Sequence, residues 1–215
     1  MLKSLHLNHK NFWKRDNVIS LLLGLILLII SLIFQKIAND YVMKTPWTYV
    51  WDILLNNVPT FNVDSFIILS TLLFTLVIIG LLLYKPKYIL FTIKSLALFI
   101  IFRSFFISLT HLGIHPHQIT FSPNSIWFWL YDILYNTKND FFFSWHTGLP
   151  FLMWLIFYKK KIWRYMFFAT SLIFAMTVIA WHIHYSIDVF AAPLITYSIY
   201  SISQRVFKKD YELIK

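Results

Sequence analysis

The chain has 215 residues, of which 59% are apolar, 20% aromatic and 13% charged. Soluble domains carry about a quarter charged residues, so there are too few charges here to cover a soluble globule, and a chain this aromatic is not disordered. No cysteine is present, which removes disulfide scaffolds, thiol catalysts and thiolate metal sites, and leaves an integral membrane protein counted in spans rather than domains.

Six runs have the apolar character of a span, which needs about 20 residues to cross a core roughly 30 Å thick. They are residues 18–34, 66–84, 89–109, 141–158, 165–183 and 187–202. The first follows a basic segment. It is long and is followed by bulky Phe34, Gln35 and Lys36 rather than a small-residue cleavage pattern, so it reads as an uncleaved span. The third contains Lys94 and Arg103, and Lys94 lies close enough to its first end to snorkel there. The expected architecture is an all-α polytopic membrane protein with six transmembrane helices, residues 1–215 forming one membrane domain.

The net charge of +10 is topological rather than a sign of nucleic acid. One side of the six spans receives Lys3, Lys10, Lys14, Arg15, Lys85, Lys87, Lys159, Lys160, Lys161, Arg164, Arg205, Lys208, Lys209 and Lys215. The other receives Lys36, Lys44 and Lys138. Basic residues gather on the cytoplasmic side, which predicts both termini cytoplasmic. Two long loops then face outward, residues 35–65 with Asp40, Asp52 and Asp64, and residues 110–140 with His111, His115 and His117. The second also holds the run Ile126-Trp127-Phe128-Trp129-Leu130-Tyr131, too short to span and suited to the headgroup layer. The three loop histidines lack the neighbouring acid or cysteine pattern of a metal site, and no metal or cofactor is expected.

Ionisable groups at membrane depth need an explanation. Arg103 lies about six residues before the outer end of the third span, a depth of roughly 9 Å at 1.5 Å per residue. His146 lies at a similar depth in the fourth span. His184 closes the fifth and Asp188 opens the sixth. All four fall in one layer on one side. Two imidazoles, a carboxylate and a guanidinium are a set for metal-free phosphoryl transfer. One imidazole attacks phosphorus, the carboxylate orients it, the second imidazole moves the proton, and the arginine neutralises phosphate oxygens. His184 and Asp188 are four apart and share a face on a continuous helical turn. The bland readings are helix capping for Asp188, a structural ion pair for Arg103, and a helix-start carboxylate for Asp140. His182 shares no helical face with His184.

The segments Ser144-Trp145-His146-Thr147 and His184-Tyr185-Ser186-Ile187-Asp188 resemble two motifs of the sphingomyelin synthase-like branch of the type 2 phosphatidic acid phosphatase (PAP2) superfamily, which read G-D-x-x-x-S-G-H-T and H-Y-[ST]-x-D-V-x-x-A. Asp140 stands six before His146, and Val189 and Ala192 continue the second motif. Arg103, followed by Thr110 and Pro116, is similar to the branch's arginine motif, and residues 52–59 resemble its first outer loop. The resemblance covers roughly residues 50–200. Trp145 and Asn139 stand where the family has glycine, and Val178 where the classical phosphatases have arginine, which favours the synthase-like branch.

The resemblance implies a six-helix bundle with an outward-facing site, His184 as nucleophile, Asp188 as its orienting partner and His146 as general acid and base. It makes Arg103 a phosphate contact, with Asp140 and His182 as secondary candidates. A membrane phospholipid would be the donor, and a lipid alcohol or water the acceptor, in the plasma (inner) membrane of a bacterium. Two other classes stay open at this stage: a bis-histidine haem protein using His146 and His184, and a transporter-like subunit whose polar residues line a path.

Overall fold

A computed structural model describes residues 9–10, 12–119 and 141–215. The candidate Asp140, the neighbouring Asn139, Lys138 and the aromatic run at 126–131 lie outside the described residues.

The described residues form helices and no strand. In chain order they are α1 (Arg15–Lys44), α2 (Asp64–Tyr84), α3 (Ile89–Leu109), α4 (Trp145–Ile156), α5 (Lys161–Ala180), α6 (Ser186–Val206) and a short α7 (Lys208–Glu212). A single 3-10 turn, Pro86–Tyr88, joins α2 to α3. Proline suits this first-turn position because its missing N–H would have had no partner there.

Among the described residues, four segments are long and apolar enough to cross a membrane: α1, α2, Pro86–Leu109 and α5. The other two expected spans fall short for different reasons. α4 has 12 residues, roughly 18 Å of helix, because the chain from Phe141 to Ser144 is not helical. α6 has 21 residues, but Asp188, Thr196, Ser198, Ser201, Ser203, Gln204 and Arg205 dilute its apolar character.

α1 runs ten residues past the expected end at Phe34. Polar residues one turn apart carry it on: Gln35 Nε2 donates to Asn39 Oδ1 (3.0 Å), and Lys36 pairs with Asp40 (3.1 Å). It stops at Lys44 because Thr45 precedes Pro46 and takes an extended conformation (ψ 138°).

α3 is the central helix. α1 packs along one side of it and α6 along another, while α4 packs against both α5 and α6. The core between them is largely aromatic. Tyr88 stacks on Phe157 with ring centroids 4.5 Å apart, and Phe74 meets Phe167 and Phe174 edge-on. Gly148 lets α4 approach closely. A Cβ there would lie 2.9 Å from Phe99 Cζ and 3.0 Å from Thr196 Oγ1, so any other residue would push α4 away from α3 and α6.

Lys94 does not snorkel to the surface. It is buried and forms an ion pair with Asp210 of α7, and it also donates to Ser20 Oγ of α1 (2.7 Å). Ser20 in turn donates to Asp210 Oδ1 (2.7 Å). A lysine on a packed face has no open route to water, so the short C-terminal helix brings the counter-charge to it. Deleting one partner strands the other: Asp210→Ala is expected to cost about 3–5 kcal/mol, while the Lys94→Met/Asp210→Leu double variant recovers most of it. Unfolding midpoints in detergent check this, and a parental midpoint for Asp210→Ala would show that the pair carries no weight.

Candidate active site

One end of the bundle gathers the ends of α1, α3 and α5, the starts of α2, α4 and α6, and residues 45–63 and 110–119 between them. Contacts between these stretches close that end. Phe61 N–H donates to the Ala180 carbonyl (2.8 Å), and Gly113 N–H to the Thr48 carbonyl (2.8 Å). Gly113 is required there, because a Cβ would meet Trp47 Cε3 at 2.6 Å and the Thr48 backbone at 2.8 Å.

His146 sits in the first turn of α4. Ser144 caps that helix by accepting the Thr147 N–H (3.4 Å). Ser171 Oγ of α5 donates to the Thr147 carbonyl (2.9 Å) and fixes the same turn from outside. Arg103, buried in α3, donates from Nε to the Phe143 carbonyl (2.9 Å), three residues before His146. Trp145, in the family's glycine position, turns its indole onto Phe99 with centroids 5.3 Å apart.

His184 lies in a turn between α5 and α6. α5 ends in two reversed bonds, His182 N–H to the Ile179 carbonyl (3.0 Å) and Ile183 N–H to the Val178 carbonyl (3.1 Å). This is the Schellman pattern, whose first residue past the cap is left-handed. His182 occupies that position with φ 61°. The residue there is usually glycine, so nothing in the sequence marks the stop. His182 Nε2 donates to the Leu55 carbonyl (2.8 Å), and its ring lies against His115, 5.1 Å between centroids. It faces residues 45–63, on the loop side of the turn.

His184 and His146 face each other with ring centroids 6.0 Å apart. Asp188 Oδ2 lies 3.5 Å from His184 Nδ1 and accepts the Tyr185 N–H (2.9 Å). The His184–Asp188 contact was expected from a helical repeat. It has another origin: His184 precedes the Tyr185 cap, so the turn, and not the helix, sets the spacing. Asp188 also serves as a cap, from the third position of α6. The Asp188 carbonyl accepts the Ser144 N–H (3.1 Å) and joins the starts of α4 and α6 directly. His146, His184, Asp188 and Arg103 are all buried. The structure thus brings together His146, His184 and Asp188, with Arg103 tethered to the segment that carries His146.

Two groups that sequence reasoning left out of the site adjoin it. Asp52 is buried and accepts four hydrogen bonds. Oδ1 takes the N–H groups of Leu54 (2.9 Å) and Leu55 (3.1 Å). Oδ2 takes the N–H (2.7 Å) and hydroxyl (2.8 Å) of Ser186. Burial pushes its carboxyl upward, but the bonds from Leu55, Ser186 and Leu54 together outweigh that and hold it below the usual carboxylate range. His115 is the second. Burial first, then the imidazoles of His182 and His117, keep its ring below the ordinary histidine value, against a smaller opposite pull from Asp52. The sequence signals were an acid and a histidine in loops facing the same side and, for Asp52, the likeness of residues 52–59 to a family outer loop, which gave it no role.

No family model, curated protein or solved structure matches the chain. The fold therefore defines the class on its own: a helical protein with, among the described residues, four segments of membrane-crossing length and apolarity.

The depressed Asp52 carboxyl has a consequence for stability. Folded Asp52 holds its proton less tightly than the unfolded chain, so its contribution is present above the ordinary carboxylate value of 3.8 and is lost as pH falls through the lower folded value. Thermal midpoints in detergent are expected to fall more steeply with acid in the parent than in Asp52→Asn. Parallel profiles below about pH 4 would show that the bonds to Asp52 carry no such linkage.

Proposed function

We propose that the chain is a membrane enzyme that transfers or hydrolyses a lipid phospho-headgroup through a phosphohistidine on His184. The observation that carries the reading is the pairing of two buried imidazoles, 6.0 Å apart, one of them held by a carboxylate. If Nδ1 of His184 donates to Asp188, Nε2 carries the lone pair. That nitrogen attacks phosphorus, and the bond from phosphorus to the donor's alcohol oxygen breaks. Protonated His146 gives its proton to the leaving oxygen. Neutral His146 then takes a proton from the acceptor hydroxyl, whose oxygen attacks phosphorus and breaks the P–N bond, restoring His184. Asp188 stabilises the charged ring in between. Arg103 offsets the charge on the phosphate oxygens.

The donor is a membrane phospholipid, and the acceptor is a lipid alcohol such as ceramide or diacylglycerol, or water. Transferase and phosphatase share every step but the last, and a transferase must keep water from the phosphohistidine. The resemblance to the sphingomyelin synthase-like branch, and the motif residues His146, His184 and Asp188 meeting in space, favour the same chemistry. In this reading α4 and α6 complete a six-span bundle with both termini cytoplasmic and the site outward, as the distribution of lysine and arginine supports. The haem reading gives no role to Asp188 or Arg103, and the transporter reading none to the His184–Asp188 pair.

Proteoliposomes containing phosphatidate, phosphatidylcholine and ceramide provide the assay. The parent is expected to release phosphate or form a new phospholipid. His184→Ala should fall to background, and His146→Ala by about 10²–10⁴. Undiminished turnover in His184→Ala would sink the mechanism.

A further inference from the structure

Asp52 is a buried carboxylate to which the proposed mechanism gives no task. Asp52 lies in the segment between α1 and α2, 134 residues from the serine it binds. Its environment is a built one. Asn56 Oδ1 accepts the Asp52 N–H (2.8 Å) and the Tyr49 hydroxyl (2.8 Å), and the Asp52 carbonyl accepts the Asn56 N–H (2.9 Å). The Leu54 and Leu55 N–H groups hold Oδ1. The carboxylate is thus fixed by its own turn before it reaches α6.

Its target is the first residue of α6. Tyr185, the cap residue, offers no side-chain oxygen to the helix start, so the N–H groups there need acceptors from elsewhere. Asp188 supplies one to Tyr185, from within the helix. Asp52 supplies the other to Ser186, from a different loop. A negative carboxylate at a helix N-terminus is also favoured by the helix dipole. Between these two capped positions and the end of α5 lies His184. Its spacing from Asp188 depends on the turn rather than on a helical repeat, so whatever clamps the turn sets the contact. The same loop grips the turn twice more, through Leu55 to His182 and through the Val50 N–H to the Tyr185 hydroxyl (3.3 Å).

We propose that Asp52 is a positioning residue for the His184–Asp188 pair, acting through Ser186 to fix the turn that holds the imidazole against its carboxylate. The proposal rests on the phosphoryl-transfer reading for its effect on turnover, but not for its effect on His184 itself. Asp52 touches no reacting atom. It locks the start of α6 so that Asp188 and His184 keep one geometry while phosphorus is transferred.

The test uses the full-length protein in detergent and two readouts. The first needs no lipid: exchange of the imidazole C2 hydrogen for deuterium, followed for each histidine by mass spectrometry at one pH. Asp52→Asn, which sets an amide N–H₂ against backbone donors, is expected to change the His184 rate severalfold and to leave half-buried His9, which bonds the Leu83 carbonyl at the opposite end, at its parental rate. Ser186→Ala keeps the backbone bond and loses only the hydroxyl bond, so a smaller change in the same direction follows. The Asp52→Asn/Ser186→Ala double variant should go no further than Asp52→Asn alone, because both act along one path. The second readout is turnover in the proteoliposomes above, where kcat should fall between about ten- and a hundredfold with KM for phosphatidate unchanged.

Parental His184 exchange in Asp52→Asn overturns the proposal. So does a change spread over all histidines in Asp52→Asn together with parental His184 exchange in Ser186→Ala, since Asp52 would then act on the fold as a whole. If His184→Ala retains turnover, the phosphohistidine reading fails whatever Asp52 does. If His184→Ala is inactive and Asp52→Asn keeps the parental kcat, the positioning proposal alone fails.

Discussion

A chain among lipids must satisfy its backbone polar groups internally, and the end of the bundle where the candidate residues meet is where that demand is hardest to meet. Helices stop and start there, and each helix end leaves N–H or C=O groups without a helical partner. Side chains from neighbouring segments supply what is missing. Ser144 caps α4, Arg103 serves the Phe143 carbonyl, Asp188 and Asp52 serve the start of α6, and His182 serves the Leu55 carbonyl. The residues that close these helix ends are largely the residues proposed for chemistry or placed beside it. Capping and catalysis are therefore not competing accounts of Asp188, because one carboxylate oxygen lies at the Tyr185 N–H and near His184 at once.

The rest of the molecule holds these ends in register. α3 carries Arg103 toward one end and Lys94 toward the other, and each buried cation is tied to a separate segment: Arg103 to the residues before α4, and Lys94 to α7 and α1. Phe99, between them, touches Phe143 and Trp145 and limits how near α4 comes at Gly148. A change in this aromatic contact would move His146 as a consequence, although none of these residues carries the proposed chemistry.

The readings that followed local chemistry hold in part. Apolar runs located the helices, and among the described residues four of the six expected spans correspond to segments long and apolar enough to cross a membrane, since a span needs length and apolarity and little else. The errors fell where partners distant in sequence decide. α1 outruns its apolar stretch because polar pairs one turn apart sustain it. α5 ends at Ala180 with a histidine in the left-handed position, which no glycine announces. Lys94 was expected at the surface and is buried against Asp210, a residue 116 positions away. Asp52 was one of three loop acids, and it was set apart from Asp40 and Asp64 only by the likeness of residues 52–59 to a family outer loop, which gave it no role. Asp40 is spent on an exposed pair with Lys36, while Asp52 lies across the start of α6.

The sequence by itself determined a helical, lipid-compatible chain with few charges, and it singled out Arg103, His146, His184 and Asp188 because an ionisable group is conspicuous in an apolar run. That much is readable because burial cost is set by residue type. Only the tertiary structure decided that His146 and His184 face each other, that a turn rather than a helix sets the His184–Asp188 contact, and that Asp52 reaches Ser186. Such contacts depend on how helix ends from separate segments satisfy one another's hydrogen bonds, and no local pattern encodes that pairing.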